Sequence, residues 1–245
     1  AVSVLSTDAA GNTATATSAL RIDTVAGEVA LSSLPIEIDD TINAVERADG
    51  VDISGTATPG LTVTVALGAA THQVTADLNG NWSSTFAASE VPTGTSTLPI
   101  TASITDDAGN SRSVSDSVKL DTLVDNHTIS AAQVEGDDVV NLAERADGVT
   151  LSGTTEPGST VSVQLGLVTR LAAVDAAGNW DVTFAATDIP TGTYVTSVTA
   201  TATDLAGNVS TISDSFNVDT NVDNLGIETT QATDDVVNAS EHAAG

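Results

Sequence analysis

Oxygen-bearing side chains recur at fixed spacing along the chain. The stretch INAVERADGVDISGT, residues 42–56, returns as VNLAERADGVTLSGT at 140–154, and its opening returns as VNASEHAAG at 237–245. Each copy keeps an Asn with a Glu three residues later. Calcium takes six to eight oxygen ligands from carboxylates, amides and backbone carbonyls, and it tolerates irregular geometry. The first chemistry that this pattern suggests is therefore the binding of a hard cation.

The spacing of these residues is part of a longer repeat. Asp23, Asp121 and Asp219 each precede a Thr and lie 98 residues apart, and the sequences GNW, PTGT and AGN recur with the same period. Periods of this length indicate modular arrays. The sequence therefore predicts complete repeats at 25–122 and 123–220. The C-terminal part of a preceding repeat is expected at 1–24, and the N-terminal part of a following one at 221–245.

Each repeat has the pattern of a β-sheet protein. Apolar and Thr or Ser residues alternate in LTVTVAL, STVSVQL and VTSVTATATD, and turn residues separate such runs every 8 to 12 residues. About seven short strands per repeat are typical of an immunoglobulin-like sandwich. We therefore expect an all-β protein of tandem immunoglobulin-like antiparallel β-sandwiches. Trp82 and Trp180, each after a Gly-Asn turn, are expected in the cores.

Alternating strand direction assigns each loop to one end of its sandwich. If strand A follows the linker and VTLSGT is strand B, the A–B loop, the E–F loop and the last Asp of strand G share the far end. The B–C, D–E and F–G loops share the near end, which faces the preceding repeat. Acidic and Asn side chains of successive repeats should then meet at each boundary and bind calcium. The candidate ligands are Asp23, Asp39, Asn43, Glu46, Asp106, Asn110, Asp121, Asp125, Asp137, Asn141, Glu144, Asp204, Asn208 and Asp219.

Local hydrogen bonding is an alternative for these residues. Asp and Asn favour turns, and the terminal Asp-Thr could simply end a strand. The ERADG run could be a one-turn helix in which Glu46 or Glu144 caps the helix or pairs with Arg47 or Arg145. The acids of the A–B loop could also bind an ion within their own loop.

Charge and composition exclude several functions. With 33 acidic against 6 basic residues the formal charge is −27, so nucleic acid and anionic membranes are not expected as partners. Cys is absent, and no stretch approaches the roughly 20 apolar residues of a membrane span or forms a signal peptide. No catalytic or nucleotide-binding motif is present. His72, His127 and His242 occupy non-equivalent repeat positions, so we expect exposed histidines and no enzyme.

Several motifs together resemble a known family. SGTTEPGSTVSV, DAAGNWDVTFAATDIPTGTYVTSVTATATDLAGNVSTIS and the terminal VDT are similar to bacterial Ig-like repeats in the extender regions of giant type I-secreted (RTX-type), biofilm-associated adhesins. The resemblance implies non-enzymatic spacers at the cell surface or outside the cell, several with calcium at their domain junctions. Many relatives continue DTTAP into the next domain, whereas these linkers read DTVAG, DTLVD and DTNVD. Because these linkers lack the Pro, calcium is expected to contribute more of the rigidity of each domain junction.

The resemblance gives a functional expectation and a rival. The chain is expected to be a stalk segment whose partners are calcium ions and neighbouring repeats of the same chain. The rival is a binding module that grips a glycan, or another copy of itself in a matrix fibre. Such self-association could use the incomplete repeats at the ends, each completing a neighbouring chain by strand addition.

Overall fold

The computed structural model describes residues 1–222 and 226. These residues fall into two compact units. The first comprises residues 1–124 together with 205–209, and the second comprises 125–204 and resumes at Ser210. Almost all of the predicted partial repeat at 221–245, including His242, lies outside the described residues. Within the described part of the chain, no helix is long and apolar enough to cross a membrane.

The first unit begins with a hairpin. Strands β1 (Val2–Thr7) and β2 (Thr13–Ser18) pair antiparallel, with Val2 opposite Ser18. The residues of both strands are exposed. The sequence predicts the C-terminal part of a preceding repeat here, and two such strands would be the last two of a sandwich.

A two-sheet sandwich follows in the first unit. Its strands are β3 (Val29–Leu31), β4 (Thr41–Ile42), β5 (Val51–Ala57), β6 (Thr62–Leu67), β7 (Ala70–Thr75), β8 (Asn81–Phe86), β9 (Thr95–Thr105) and β10 (Ser111–Asp121). One sheet has the order β3-β5-β8, and the other has the order β4-β10-β9-β6-β7. All described pairs are antiparallel except β4 with β10, which is parallel. Eight strands thus stand where about seven were predicted.

The second unit repeats this architecture. Its strands are β11 (Thr128–Ile129), β12 (Val139–Val140), β13 (Val149–Thr154), β14 (Thr160–Leu165), β15 (Val168–Leu171), β16 (Ala173–Val174), β17 (Asn179–Phe184), β18 (Thr193–Thr203) and β19 (Val209–Asp219). The sheets have the orders β11-β13-β17-β16 and β12-β19-β18-β14-β15. The predicted strand B matches β13, but the predicted strand A, about 129–134, is shortened to Thr128–Ile129. The predicted fold class, all-β immunoglobulin-like sandwiches, is confirmed.

Alternating apolar residues form the core between the sheets. In β6 the inward residues Val63, Val65 and Leu67 are fully buried, and the intervening residues are more exposed. Trp82 and Trp180, 4% and 1% exposed, lie in the cores as predicted. Each indole packs on a strand glycine. A Cβ built on Gly153 would lie 2.6 Å from Cζ2 of Trp180, so the Gly of SGT leaves the space that the Trp of GNW fills.

Two short helices interrupt the β structure. Helix α1 (Ala44–Asp49) lies between β4 and β5, and α2 (Leu142–Asp147) lies between β12 and β13. Both occupy the ERADG run, where a one-turn helix was one of the alternatives. Gly50 and Gly148 end these helices with φ of 93° and 88°, a backbone conformation that favours glycine.

The loops group at the two ends of the first sandwich. At the near end, Ala57 N–H donates to Gly80 O at 2.7 Å, which joins the B–C and D–E loops. At the far end, Nε of Arg47 in α1 donates to Val91 O at 2.8 Å, which joins the A–B and E–F loops. The sequence predicted this grouping from strand direction alone.

Candidate metal site

The sequence Asp-x-x-Gly-Asn occurs at 8–12, 77–81, 106–110, 175–179 and 204–208. In the first four of these stretches the Asp carboxylate closes a turn by accepting backbone N–H groups of the same stretch. In the turn at 175–179, Oδ1 of Asp175 accepts the N–H groups of Ala177 and Asn179 at 2.8 and 2.9 Å, and Nδ2 of Asn179 donates to Oδ2 of Asp175 at 2.9 Å. Hydrogen bonds from the Asn also lower the pKa of Asp8, Asp77, Asp106 and Asp175. The sequence alone did not reveal this shared turn.

The predicted ligands Asp106 and Asn110 belong to such a turn. Oδ1 of Asp106 accepts the Asn110 N–H at 2.9 Å, and Oδ2 accepts Nδ2 of Asn110 at 2.9 Å. Nδ2 of Asn110 also donates to the backbone carbonyl of Asp23 at 3.2 Å. The structure therefore brings the three residues predicted at this boundary together, and they contact one another through hydrogen bonds within the protein.

Asn208 makes the corresponding contact one period later. It lies in the segment 205–209, which belongs to the first compact unit. Its Nδ2 donates to the backbone carbonyl of Asp121 at 2.9 Å, and its Oδ1 accepts the N–H of Ala44 at 2.8 Å. Asn208 is 5% exposed. Of its predicted partners, Asp121 is thus in contact with it.

The Asp-Thr pairs close the far end of each sandwich. Thr122 Oγ1 accepts the Gly94 N–H at 2.8 Å, and Thr122 N–H donates to Gly94 O at 3.3 Å. Thr220 and Gly192 make the same pair of contacts in the second unit. Asp219 accepts a hydrogen bond from Thr193 Oγ1 at 2.9 Å. The recurring Thr therefore fastens the PTGT loop to the last strand.

The predicted ligands of the A–B loop cap the short helices. Oδ1 of Asn43 accepts the N–H groups of Val45 and Glu46, and Oε2 of Glu46 accepts the Asn43 N–H at 2.9 Å. Asn141 and Glu144 form the same capping box on α2. This reciprocal arrangement satisfies N–H groups that a helix start leaves without partners.

Two further predicted ligands also accept backbone hydrogen bonds. Asp39 Oδ1 accepts the Thr41 N–H, and Asp137 Oδ1 accepts the Val139 N–H, at 2.9 and 3.0 Å. The two arginines of the ERADG runs bond E–F loop carbonyls, Val91 O and Ile189 O. The A–B loop residues thus make the hydrogen bonds of the local alternative, and their role as calcium ligands stays a prediction.

Carboxylates approach one another at the near end of the second sandwich. Glu156 in the B–C loop and Asp204 after β18 place carboxylate oxygens within 4.8 Å of each other. Asp125 N–H donates to Oε2 of Glu156 at 3.4 Å, and Asp204 is 7% exposed. A buried carboxylate is tolerated where hydrogen bonds, an opposite charge or a metal compensate for lost hydration. Oxygen ligands at this spacing suit calcium.

Glu156 was not predicted, for a specific reason. Glu156 does not recur with the 98-residue period, because the equivalent position in the first repeat is Thr58. Thr58 Oγ1 accepts the Glu28 N–H at 2.9 Å. The Glu-Pro-Gly sequence of the B–C loop could have indicated Glu156 as a ligand. Strand direction already placed this loop at the near end of the sandwich, together with Asp204.

The expectation of exposed histidines is wrong for His72. Its ring stacks on Phe86 at 4.3 Å, and its nitrogens contact Ser84 Oγ at 2.8 Å and Glu90 Oε1 at 2.9 Å. In the second sandwich the equivalent residues are Arg170, Asp188 and Phe184. Arg170 bonds Asp188 and lies 5.9 Å from the Phe184 ring. In both sandwiches, the side chain at this position therefore contacts a carboxylate and lies over the ring of a core Phe.

The expectation is also wrong for His127. Both ring nitrogens of His127 are buried without a hydrogen-bond partner among the described residues, as are the hydroxyls of Thr155 and Ser159. Burial lowers the pKa of His127. The equivalent residues in the first sandwich are Val29, Ala57 and Leu61, which belong to or pack against the apolar core. Aligning His127 with Val29 would have predicted its burial.

Comparisons with known proteins agree with this architecture. A family described as "Bacterial Ig domain" matches residues 137–219, and one described as "Bacterial Ig-like domain" matches residues 45–122. Comparison with curated proteins found no match.

Two solved structures are similar over most of the chain. One, described as "Ca2+-stabilized adhesin helps an Antarctic bacterium reach out and bind ice", is 33% identical with a TM-score of 0.50, over 97% of this chain and 61% of that one. The other, "Structural insight into host cell surface retention of a 1.5-MDa bacterial ice-binding adhesin", is 26% identical with a TM-score of 0.50, over 89% of this chain and 74% of that one.

Proposed function

Both complete repeats are bacterial immunoglobulin-like domains homologous to the repeats of large bacterial adhesins, and on that premise we propose that the chain is a non-catalytic extender segment stiffened by calcium. Calcium would bind where one repeat gives way to the next. The protein would be secreted and act outside the cell or at its surface, where its sandwiches separate an adhesive region from the cell. Its partners would be calcium ions and neighbouring repeats.

The observation that carries this proposal is the pair of carboxylates at the near end of the second sandwich. Two carboxylates about 4 Å apart repel by about 1 kcal/mol in water and by several kcal/mol at an effective dielectric near 20. The oxygens of Glu156 and Asp204 lie within 4.8 Å of each other, and Asp204 is buried. A divalent cation would turn this repulsion into attraction.

The linker supplies further oxygens in the proposal. Asp121 is the last residue of β10, and Asp125 follows four residues later. We assign both to the calcium site with Glu156 and Asp204. Backbone carbonyls and water would complete the six to eight ligands that calcium takes. The description of one homologue as a calcium-stabilized adhesin supports this choice of ion.

The size of the expected effect is sufficient to hold a short linker. Extracellular calcium modules commonly have dissociation constants of about 10⁻⁴ to 10⁻³ M. At ten to a hundred times the dissociation constant, one site stabilises the bound state by roughly 1.4 to 2.7 kcal/mol. Occupation would then follow the calcium concentration outside the cell.

The domain boundaries remain part of the proposal. We place the complete repeats at 25–122 and 123–220, with parts of neighbouring repeats at 1–24 and 221–245. The described hairpin β1–β2 and the hydrogen bond of Asn110 to Asp23 support a boundary after residue 24.

Calcium titration calorimetry on the whole chain tests the proposed site. Glu156→Gln and Asp204→Asn remove one carboxylate each, and we expect each to weaken calcium binding at least about tenfold, since ligand charge sets affinity in such sites. Asp214→Asn is the matched control, because Asp214 is an exposed acid of β19 whose Oδ1 accepts the Ser215 N–H. Equal weakening by all three variants would show a diffuse charge effect and contradict the site.

A variant that adds a carboxylate tests the same calcium site by a gain of binding. Thr58→Glu places a carboxylate in the first sandwich at the position of Glu156. We expect it to raise calcium affinity or stoichiometry in the same titration. Light scattering on the same samples separates the stalk from the fibre-forming alternative, because only the latter predicts a mass that rises with concentration.

A further inference from the structure

Asn208 makes two hydrogen bonds to backbone groups of the first repeat. The first is from its Nδ2 to the carbonyl of Asp121, at 2.9 Å. The second is to its Oδ1 from the Ala44 N–H, at 2.8 Å. Ala44 opens α1, where Asn43 Oδ1 already serves the next two N–H groups. Asn208 thus supplies the acceptor for the remaining N–H of the first turn.

The contact recurs with the period of the sequence. Asn110 lies 98 residues before Asn208, and Asp23 lies 98 residues before Asp121. Nδ2 of Asn110 donates to the carbonyl of Asp23 at 3.2 Å. In both cases a side-chain amide from the Ala-Gly-Asn loop finds the same backbone carbonyl 87 residues earlier. Two occurrences at equivalent positions identify a feature of the repeat rather than of one loop.

The D–E loops show that the turn itself does not require this contact. Residues 77–81 and 175–179 have the same Asp-x-x-Gly-Asn turn, with Asp Oδ1 accepting two backbone N–H groups. Nδ2 of Asn179 donates to Oδ2 of Asp175 within its own turn. Asn110 and Asn208 differ from Asn179, because Nδ2 of each donates to the backbone carbonyl of an Asp that precedes a Thr.

We propose that the Asn of each F–G loop, Asn110 and Asn208, is a metal-independent fastener, and that the partner it fits is the backbone at the end of a preceding repeat. An uncharged amide keeps its hydrogen bonds whether or not a cation is present. Nδ2 of Asn208 also lies 3.4 Å from Oδ1 of Asp121, but its two backbone partners, the Asp121 carbonyl and the Ala44 N–H, are uncharged. The fastener would therefore hold the loop on the preceding repeat before calcium arrives, and the inference does not depend on the calcium site.

Nuclear magnetic resonance tests the fastener directly on the unmodified chain in a calcium chelator. A coupling across the hydrogen bond between the Ala44 nitrogen and Cγ of Asn208 is expected, because the two groups are 2.8 Å apart. Absence of this coupling in chelator, with the amides of β5 and β13 still protected and both sandwiches therefore folded, would overturn the proposal. This measurement needs no substitution, so it does not depend on whether a variant folds.

Hydrogen exchange of variants gives the second readout. Asn208→Ala should speed exchange of the Ala44 amide at least about fivefold, the effect of one lost hydrogen bond on local opening. Asn179→Ala removes a turn amide without this contact and should leave Ala44 unchanged. Equal Ala44 exchange in wild type and Asn208→Ala would contradict the fastener. Failure of calcium titration alone would contradict only the metal site.

Discussion

Side-chain oxygens of the A–B loop stabilise the start of the short helix α2. Asn141 Oδ1 accepts two N–H groups at the start of α2, and Glu144 returns a carboxylate to the Asn141 N–H. A helix of six residues is too short to be stable from its own hydrogen bonds. Its cap and the bond from Arg145 to Ile189 O therefore carry much of its stability.

Removing the Asn141 N-cap of α2 should destabilise the second sandwich without changing its calcium affinity. We expect Asn141→Ala to lower the free energy of unfolding by about 0.5–2 kcal/mol, the usual cost of a lost N-cap. Urea unfolding followed by Trp180 fluorescence, in a Trp82→Phe background, measures it. Leu142→Ala is the control, since that side chain is exposed and Ala stands at this position in the first repeat. A loss of calcium affinity in Asn141→Ala would return this Asn to the list of ligands.

The closed turn at 175–179 should make the free energy of unfolding depend on pH in the acid range. The pKa of Asp175 is lowered, chiefly by the side-chain hydrogen bond from Asn179 and then by its backbone N–H. The folded-state pKa thus lies below the unfolded one. The stabilisation is complete above the unfolded pKa, near 3.9, and is lost as the pH falls through the folded pKa.

Asn179→Ala should raise the titration midpoint of the Asp175 carboxyl towards its ordinary value. The carboxyl carbon resonance, followed between pH 6 and 2, measures this midpoint. The variant should also show a smaller loss of stability on acidification than the wild type. An unchanged midpoint would mean that the Asn amide is not the group that stabilises the carboxylate.

At the scale of elements, the strands were predictable and several side-chain roles were not. Alternation in LTVTVAL and STVSVQL predicted β6 and β14 because one face of each strand is buried. The capping residues could not be separated from metal ligands, because a helix start and a calcium ion both attract side-chain oxygens. Glu156 was not predicted as a ligand because only one of the two repeats has it, whereas the predicted ligands came from the periodic pattern.

The first strand of each sandwich shows how one position changes the packing. Val29 pairs with Ala57 in the first sandwich, and both are buried. His127 and Thr155 replace them in the second, where their polar atoms are buried without partners among the described residues. Strand β11 has two residues, whereas β3 has three. The polar replacements thus accompany a shorter first strand.

Restoring the apolar residues should stabilise the second sandwich. The triple variant His127→Val, Thr155→Ala and Ser159→Leu gives it the residues of the first repeat. Because an unpartnered buried polar group costs about 1 to 3 kcal/mol, we expect the free energy of unfolding to rise by at least about 2 kcal/mol. Urea unfolding followed by Trp180 fluorescence measures the change. Val29→His should lower the free energy of unfolding of the first sandwich. A triple variant that is no more stable than the wild type would contradict the claim that these buried polar groups destabilise the second sandwich.

At the scale of the whole molecule, the proposed function is mechanical. A chain with 33 acidic and 6 basic residues is repelled by other copies of itself, which opposes aggregation. Cations at the repeat boundaries would oppose that repulsion where carboxylates are brought together. The Asn fastener and the calcium site would then act at the same boundaries by different means.

Small-angle X-ray scattering of the whole chain, in calcium and in chelator, tests the central claim most directly. The maximum dimension should be larger and better defined in calcium, with a step of about 40 Å per repeat from strands that rise about 3.3 Å per residue. The variant combining Glu156→Gln and Asp204→Asn should lose most of the calcium-dependent increase, because it removes the site between the two complete repeats. A maximum dimension of the wild-type chain that is the same with and without calcium would contradict calcium stiffening.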